Sequence, residues 1–117
     1  MEGRNQVELK RMLVSLEEGK MLRHVVMVNF KVEMGQRERD EFAKKAAETL
    51  AHVPGTKNII MGHASEVQGK ARYGAALFID FDSEAALKNY LAHPIHKAVE
   101  AQMPSMLSEF INSNYLY

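Results

Sequence analysis

The hydrophobic pattern first becomes strand-like between residues 22 and 32, a run rich in β-branched residues. Its side chains alternate between two faces, with His24, Val26, Val28 and Phe30 on one and Val25, Met27 and Asn29 on the other. Because both faces are largely apolar, we expect both to be covered. The chain's own helices can cover one face. In a monomer the other face would leave Val25 and Met27 exposed, so the pattern indicates a cover from elsewhere.

The rest of the chain alternates between helical and strand periods. Apolar residues at helical spacing predict helices, and short apolar runs bounded by turn residues predict strands. The elements predicted after the first strand are a helix over 36–52, strands over 57–65 and 73–81, two helices within 85–106 and a strand over 109–117. With right-handed crossovers, the order β-α-β-β-α-β gives an α+β fold of the ferredoxin-like type, in which a four-stranded antiparallel sheet carries helices on one face.

Residues 1–20 are predicted to be an N-terminal extension of a domain that spans 21–117. A rough apolar stripe at helical spacing ends at Gly19, a residue type that commonly follows a helix. The members of this stripe are Val7, Leu9, Met12, Leu13 and Leu16. Two interpretations stay open: a helix that lies across the domain or its partner, and an extension that precedes the domain proper.

The most informative stretch is the bend between the two helices predicted within 85–106. Tyr90 lies on the apolar face of the first helix, and Pro94 interrupts the pattern because it lacks an N–H group. Proline suits the first position of a second helix, so His96 falls in that helix's first turn, near the positive end of its dipole. This position disfavours the imidazolium form and leaves a neutral imidazole that can act as a base. A purely structural interpretation, in which His93 and His96 cap and bridge the bend, stays open.

Composition narrows the classes of function. A chain of 117 residues suffices for one domain, and its 15 basic residues balance its 15 acidic ones, which argues against nucleic-acid binding. The absence of cysteine excludes disulfides, thiolate nucleophiles and sulfur-ligated metals, and a cytoplasmic location is the natural expectation. The apolar runs are only strand-sized, so no membrane association is predicted, and the polar N-terminus predicts no signal peptide.

Three stretches resemble the stress-responsive A/B barrel (Dabb) family. They are LRHVVMVNFK at 22–31, FIDFDSEAALKNYLAHPIH at 78–96 and the closing NYLY, and the similarity extends over about 21–117. The resemblance implies a dimeric α/β barrel, in which two copies of the chain join sheet to sheet. A homodimer of this kind would supply the cover that the first strand needs.

The resemblance also implies candidate site residues. Some family members cyclise linear polyketides, others are linked to stress tolerance in plants, and in the cyclising members a tyrosine and a histidine form the acid–base pair. Those positions correspond here to Tyr90 and His96, with His24 on the first strand facing the same cavity. The chain departs from the family pattern in its last strand, at Asn112, Ser113 and Asn114. Two alanines, Ala46 and Ala47, would line the helix side of the cavity with small groups.

Two functions fit the predicted cavity. One is a non-catalytic dimeric module that binds a small apolar molecule or a partner, or contributes to stress resistance. The alternative is a cofactor-free cyclase, lyase or tautomerase, in which His96 removes a proton next to a carbonyl and Tyr90 stabilises the enolate oxygen. Both use the same apolar cavity wall, as small-molecule pockets usually do. The predicted wall consists of Val26, Val28, Phe42, Leu50, Leu77, Val99 and Leu107.

A metal site and a monooxygenase are the remaining alternatives. A metal would use His93, His96 and either His24 or His63, but Pro94 separates the first two and no carboxylate lies at a motif spacing. A haem-degrading or quinol-oxidising monooxygenase of the same architecture would need a haem-ligand pattern that the isolated histidines do not supply. We therefore predict neither a metal nor a cofactor.

Overall fold

The computed structural model describes residues 21–117, so the N-terminal extension predicted over 1–20, and the question of whether it is a helix, lie outside the described residues. Strands and helices follow one another in the predicted order. They are β1 (Leu22–Phe30), α1 (Gln36–Leu50), β2 (Lys57–His63), β3 (Ala75–Phe81), α2 (Glu84–Ala92), α3 (Pro94–Met106) and β4 (Leu107–Leu116). No helix within this part of the chain is both long and apolar enough to cross a membrane.

The four strands form one antiparallel sheet in the order β2-β3-β1-β4. This arrangement confirms the predicted α+β, ferredoxin-like fold. In the register, His24 of β1 lies between Ile79 of β3 and Asn114 of β4. Directly paired residues share a face, so the side chain of Asn114 comes to the same face as that of His24.

Several predicted boundaries are wrong by a few residues. The helix α1 ends at Leu50 instead of residue 52, and β4 begins at Leu107 instead of residue 109. The backbone becomes extended at Leu107 (φ −109°, ψ 138°) directly after α3, and its buried side chain joins the core. No turn residue separates the last helix from the last strand, so the sequence offers no signal for this boundary.

The helices pack against one face of the sheet, which we call the helix face. Leu50 of α1 and Leu87 and Tyr90 of α2 belong to the same core cluster as apolar residues of β1 and β3. Ser83 begins α2 as its N-cap, because its Oγ accepts a hydrogen bond from the N–H of Ala86 at 3.1 Å. This cap and the apolar stripe of α2 fix Tyr90 in the core, where it is 1% exposed.

The opposite face of the sheet, which we call the open face, carries exposed apolar side chains. Ile60 is 50% exposed, Ile111 42% and Tyr115 60%. The expectation that Val25 would be exposed is wrong: it is 9% exposed, because Phe78 of β3 and Ser113 of β4 flank it in the sheet. Met27 is half-buried. The open face is therefore apolar mainly along its β2 and β4 sides.

One buried carboxylate on the open face collects four hydrogen bonds. Asp80 of β3 is 1% exposed and accepts from Arg23 Nε at 2.8 Å and from Arg23 Nη2 at 3.0 Å. Asn58 Nδ2 donates to it at 3.0 Å and the Tyr117 hydroxyl at 2.9 Å. Asn58 lies in an irregular part of β2 with a left-handed backbone (φ 50°), which asparagine tolerates better than most residues. We call Asp80, Arg23, Asn58 and Tyr117 the Asp80 cluster.

Candidate functional site

The bend between α2 and α3 is built as the sequence predicts. Pro94 occupies the first turn of α3, and His93 caps that helix because its Nδ1 accepts a hydrogen bond from the N–H of Ile95 at 3.1 Å. His96 follows in the same turn. Its Nδ1 lies 3.1 Å from the carbonyl oxygen of Leu91, at the end of α2. His93 thus caps the bend, as the purely structural interpretation expects. His96 bridges the bend and also turns toward the core.

The three predicted polar site residues come together around Tyr90. The ring centroids of Tyr90 and His96 lie 4.6 Å apart, and those of Tyr90 and His24 lie 5.9 Å apart with an edge-to-face geometry. These side chains belong to three different elements, β1, α2 and α3. The phenol therefore stands between two imidazoles.

A cavity of about 110 Å³ lies between the helices and the helix face, and all three of these residues line it. Its wall contains all seven apolar residues of the predicted wall, together with eight others. The additional lining residues are Phe30, Ala46, Met61, Leu91, Glu100, Met103, Phe110 and Asn112. The polar groups are few and the lining is mainly apolar, which is the composition of small-molecule sites.

His24 is held as a neutral imidazole. It is 4% exposed, and burial lowers its pKa below the ordinary value because the charged ring would lose its hydration. Its Nδ1 lies 2.6 Å from Oδ1 of Asn114, and this hydrogen bond only partly opposes the effect of burial. An amide oxygen can only accept, so Nδ1 carries the proton and donates it. The unprotonated nitrogen of His24 is therefore Nε2.

Tyr90 is held as a neutral phenol. Burial raises its pKa well above the ordinary value, and the negative charge of Glu100 acts in the same direction. His96 donates from Nδ1 to the Leu91 carbonyl, because a carbonyl oxygen can only accept, and in the neutral form of this ring Nε2 is the acceptor nitrogen. With His96 in its neutral form, the site combines a phenolic O–H donor with two imidazole acceptors.

Three polar residues of this region were not predicted from the sequence as site residues. Glu100 follows His96 by four residues on α3, a spacing that puts both on one helix face. Asn112 and Asn114 lie on the helix face of β4, paired with Val26 and His24 of β1. The sequence marks both asparagines as departures from the family pattern, and period-two alternation puts them on one face. Only the strand pairing connects them to His24.

One predicted lining residue lies elsewhere. Ala46 of α1 lines the cavity, but the adjacent Ala47 lines a second groove of about 540 Å³ with Arg39 and Lys44. Successive helical residues point about 100° apart, so the two alanines cannot share the site. Within residues 21–117, no group of three histidine, aspartate or glutamate side chains converges in a way that could hold a metal ion.

The family model described as "Stress responsive A/B Barrel Domain" (Dabb) matches residues 22–115, so the chain belongs to this family. A search of curated protein sequences finds no match.

Solved structures with the same fold include both uncharacterised proteins and an enzyme. A Dabb family protein with a ferredoxin-like fold from Mesorhizobium loti is 23% identical, with a TM-score of 0.73 over 83% of this chain and 96% of that chain. A hydroxynitrile lyase from Passiflora edulis is 19% identical, with a TM-score of 0.76 over 85% and 94%. A dimeric ferredoxin-like protein of unknown function from Thermobifida fusca is 22% identical, with a TM-score of 0.70 over 83% and 91%. Because all three identities are below 25%, these similarities show a shared fold and nothing about function.

Proposed function

We propose that the protein is a homodimeric module that binds a small, mainly apolar molecule in the cavity beside Tyr90 and His96. The observation that carries this proposal is the distribution of polarity in the cavity. The seven predicted wall residues are apolar, whereas His24, Tyr90 and His96 gather at one place in the lining. A ligand with an apolar body and one polar end matches that distribution.

The polar end of the ligand is constrained by the hydrogen-bonding groups it would meet. The neutral phenol of Tyr90 can donate to a carbonyl or hydroxyl oxygen, and the Nε2 atoms of the two histidines can accept. A carboxylate is disfavoured, because Glu100 also lines the cavity and would repel a second negative charge. We therefore expect a neutral ligand that carries a carbonyl or hydroxyl group.

The homodimer is supported by the open face of the sheet. This face exposes Ile60, Ile111 and Tyr115, which a second copy of the same face can cover. Similar structures, such as that from Thermobifida fusca, are described as dimeric. In the proposed dimer each chain keeps its own cavity on the helix face, away from the interface.

Binding can be tested with two alanines that lie side by side on α1. Replacing Ala46 with phenylalanine adds a ring inside the cavity, so we expect at least about tenfold weaker binding of acetophenone, followed by ¹H–¹⁵N correlation spectra. The matched control is Ala47→Phe, which adds the same ring to the second groove and should leave binding unchanged. Equal effects of the two substitutions, or wild-type protein that binds neither acetophenone nor phenol, would contradict the proposed site.

The second candidate function is cofactor-free proton transfer, as in a cyclase, lyase or tautomerase. It is favoured by the 4.6 Å separation of the Tyr90 and His96 rings, and the hydroxynitrile lyase from Passiflora edulis shows that the fold accommodates lyase chemistry. Nε2 of His96 would take a proton from the carbon next to a carbonyl. The electrons of that C–H bond would form the enolate, whose oxygen would receive a hydrogen bond from the Tyr90 hydroxyl.

This chemistry predicts different effects for the two residues. The His96→Ala variant should lose about 10²–10⁴-fold in the rate of α-proton exchange, measured by NMR on acetophenone in D₂O. Tyr90→Phe should slow exchange and retain ligand binding, weakened only by the loss of one hydrogen bond, because the ring stays in place. The control is His52→Ala, which changes an exposed histidine away from the cavity. A His96→Ala variant that exchanges at the wild-type rate would eliminate the catalytic candidate and leave the binding module.

A further inference from the structure

Within residues 21–117, the shortest side-chain hydrogen bond of a residue that lines the cavity joins His24 and Asn114. Asn114 belongs to β4, an edge strand, and its own side chain is exposed, whereas His24 is 4% exposed on the central strand β1. An exposed amide adds little to the core. Asn114 is connected to the cavity through His24, whose Nδ1 lies 2.6 Å from Oδ1 of Asn114.

We infer that Asn114 is a positioning residue, which holds His24 as the Nδ1–H tautomer and thereby directs the acceptor atom Nε2 to the cavity. The free imidazole prefers the opposite tautomer, with the proton on Nε2. Without a partner at Nδ1, His24 would offer the ligand a donor at the position where it now offers an acceptor. Asn114 thus determines whether His24 accepts a hydrogen bond from the ligand or donates one to it, without touching the ligand.

The neighbours of His24 leave Asn114 as the residue that selects the tautomer. Ile79, which flanks His24 on β3, is apolar. Tyr90 on α2 contacts it edge-to-face, and a positive charge on His96 of α3 would lower the pKa of His24. Within residues 21–117, Asn114 supplies the hydrogen bond to the His24 ring. The amide raises the pKa of His24 only enough to oppose burial in part, whereas a carboxylate in the same place would add a full negative charge that favours imidazolium.

The role of Asn114 does not depend on the proposed function. Its consequence for the type of ligand rests on that function. With Nδ1–H tautomers at both His24 and His96, the site presents two acceptor nitrogens. A ligand hydroxyl satisfies such an acceptor, whereas a methyl ether of the same shape leaves it unpaired in an apolar cavity. We therefore expect 4-hydroxyacetophenone to bind at least about tenfold more tightly than 4-methoxyacetophenone.

The tautomer can be measured on the protein without a ligand, from the ¹⁵N shifts and ring couplings of the histidines. In the wild type we expect His24 as the Nδ1–H tautomer, and in Asn114→Leu as the Nε2–H tautomer. Ser113→Leu is the matched control, because Ser113 is the adjacent residue of β4 but pairs with Val25 on the open face, and it should leave the His24 signals unchanged. Asn114→Asp should restore the Nδ1–H tautomer and move the His24 titration to higher pH.

The outcomes separate this inference from the proposed function. Wild-type His24 found as the Nε2–H tautomer, or an unchanged tautomer in Asn114→Leu, would overturn the role of Asn114 whether or not a ligand binds. The predicted tautomers combined with no binding of either ketone would support Asn114 and contradict the proposed function. A preference for the hydroxyl compound that disappears in Asn114→Leu but persists in Ser113→Leu would support both.

Discussion

Replacing Asp80 with alanine is expected to lower the free energy of unfolding by about 3 kcal/mol. Asp80 is 1% exposed and accepts four hydrogen bonds, two from Arg23 and one each from Asn58 and Tyr117. Without the carboxylate, three polar side chains lose their common partner and Arg23 keeps an unpaired charge. The side chain of Arg23 is 37% exposed and stays partly hydrated, which puts the expected loss at the lower end for a buried pair.

The neighbouring aspartate provides the control. Asp82 pairs with Lys57 at 2.8 Å, the same distance as the closest Arg23–Asp80 contact, but its side chain is 64% exposed. We expect Asp82→Ala to cost less than about 1 kcal/mol. Urea unfolding followed by circular dichroism measures both, at one protein concentration because the stability of a dimer depends on it. Equal losses in the two variants would show that the Asp80 cluster adds no more than a surface ion pair.

The pH dependence of stability follows from the same carboxylate. The hydrogen bond from Arg23 is the main cause that lowers the pKa of Asp80 to about 2, against an ordinary value of 3.8. The unfolded chain therefore binds the proton first as the pH falls, and unfolding becomes easier. The stabilisation by Asp80 should be complete above about pH 4 and disappear as the pH falls toward 2. Urea titrations of the wild type and Asp80→Asn should converge over this range, whereas a constant difference would contradict the assignment.

Replacing Met27 with lysine is expected to convert the proposed dimer into monomer. Met27 lies on the open face between Ala76 of β3 and Ile111 of β4, on the central strand. In a single chain a lysine there can extend its ammonium group into water, so the fold should persist. In a dimer it would be buried against the partner, where an unpaired charge costs several kcal/mol.

Light scattering after size-exclusion chromatography reports the change directly. The wild type should have twice the chain mass of 13.3 kDa and Met27→Lys the single mass. Val67→Lys is the control, because Val67 is 91% exposed in the loop between β2 and β3 and lies off the open face. A wild type that is monomeric at micromolar concentration, or a Met27→Lys variant that stays dimeric, would refute the interface.

Local features of the fold could be predicted because a few residues determine them. Pro94 cannot continue α2, Ser83 caps it, and the period-two run of β1 puts His24 on the same face as Val26. The sequence also marks Tyr90 and His96, because a phenol on an apolar helix face and a histidine after a proline break are unusual. Their proximity in the structure depends on short-range geometry alone, across a bend of a few residues.

The features that could not be predicted join residues far apart in the chain. His24 and Asn114 are separated by 90 residues, and Arg23 and Asp80 by 57. The sequence of β3 is apolar on both faces apart from this one carboxylate on the open face, so the pattern of β3 did not predict the Asp80 cluster. The irregular backbone at Asn58, which brings its amide to Asp80, likewise depends on pairing between β2 and β3.

The position of β4 at the edge of the sheet carries a risk of aggregation. Within residues 21–117 this strand of ten residues pairs with β1 alone, so its other side presents unpaired N–H and C=O groups that another extended chain can join. Phe110, Ile111 and Tyr115 are exposed along it and would favour stacking into cross-β fibres. The triplet from Asn112 to Asn114 interrupts this run with residues that are poor strand formers. The amide that we infer orients His24 therefore belongs to a polar interruption of an exposed edge strand, and apolar substitutions there should shorten the time before fibres appear.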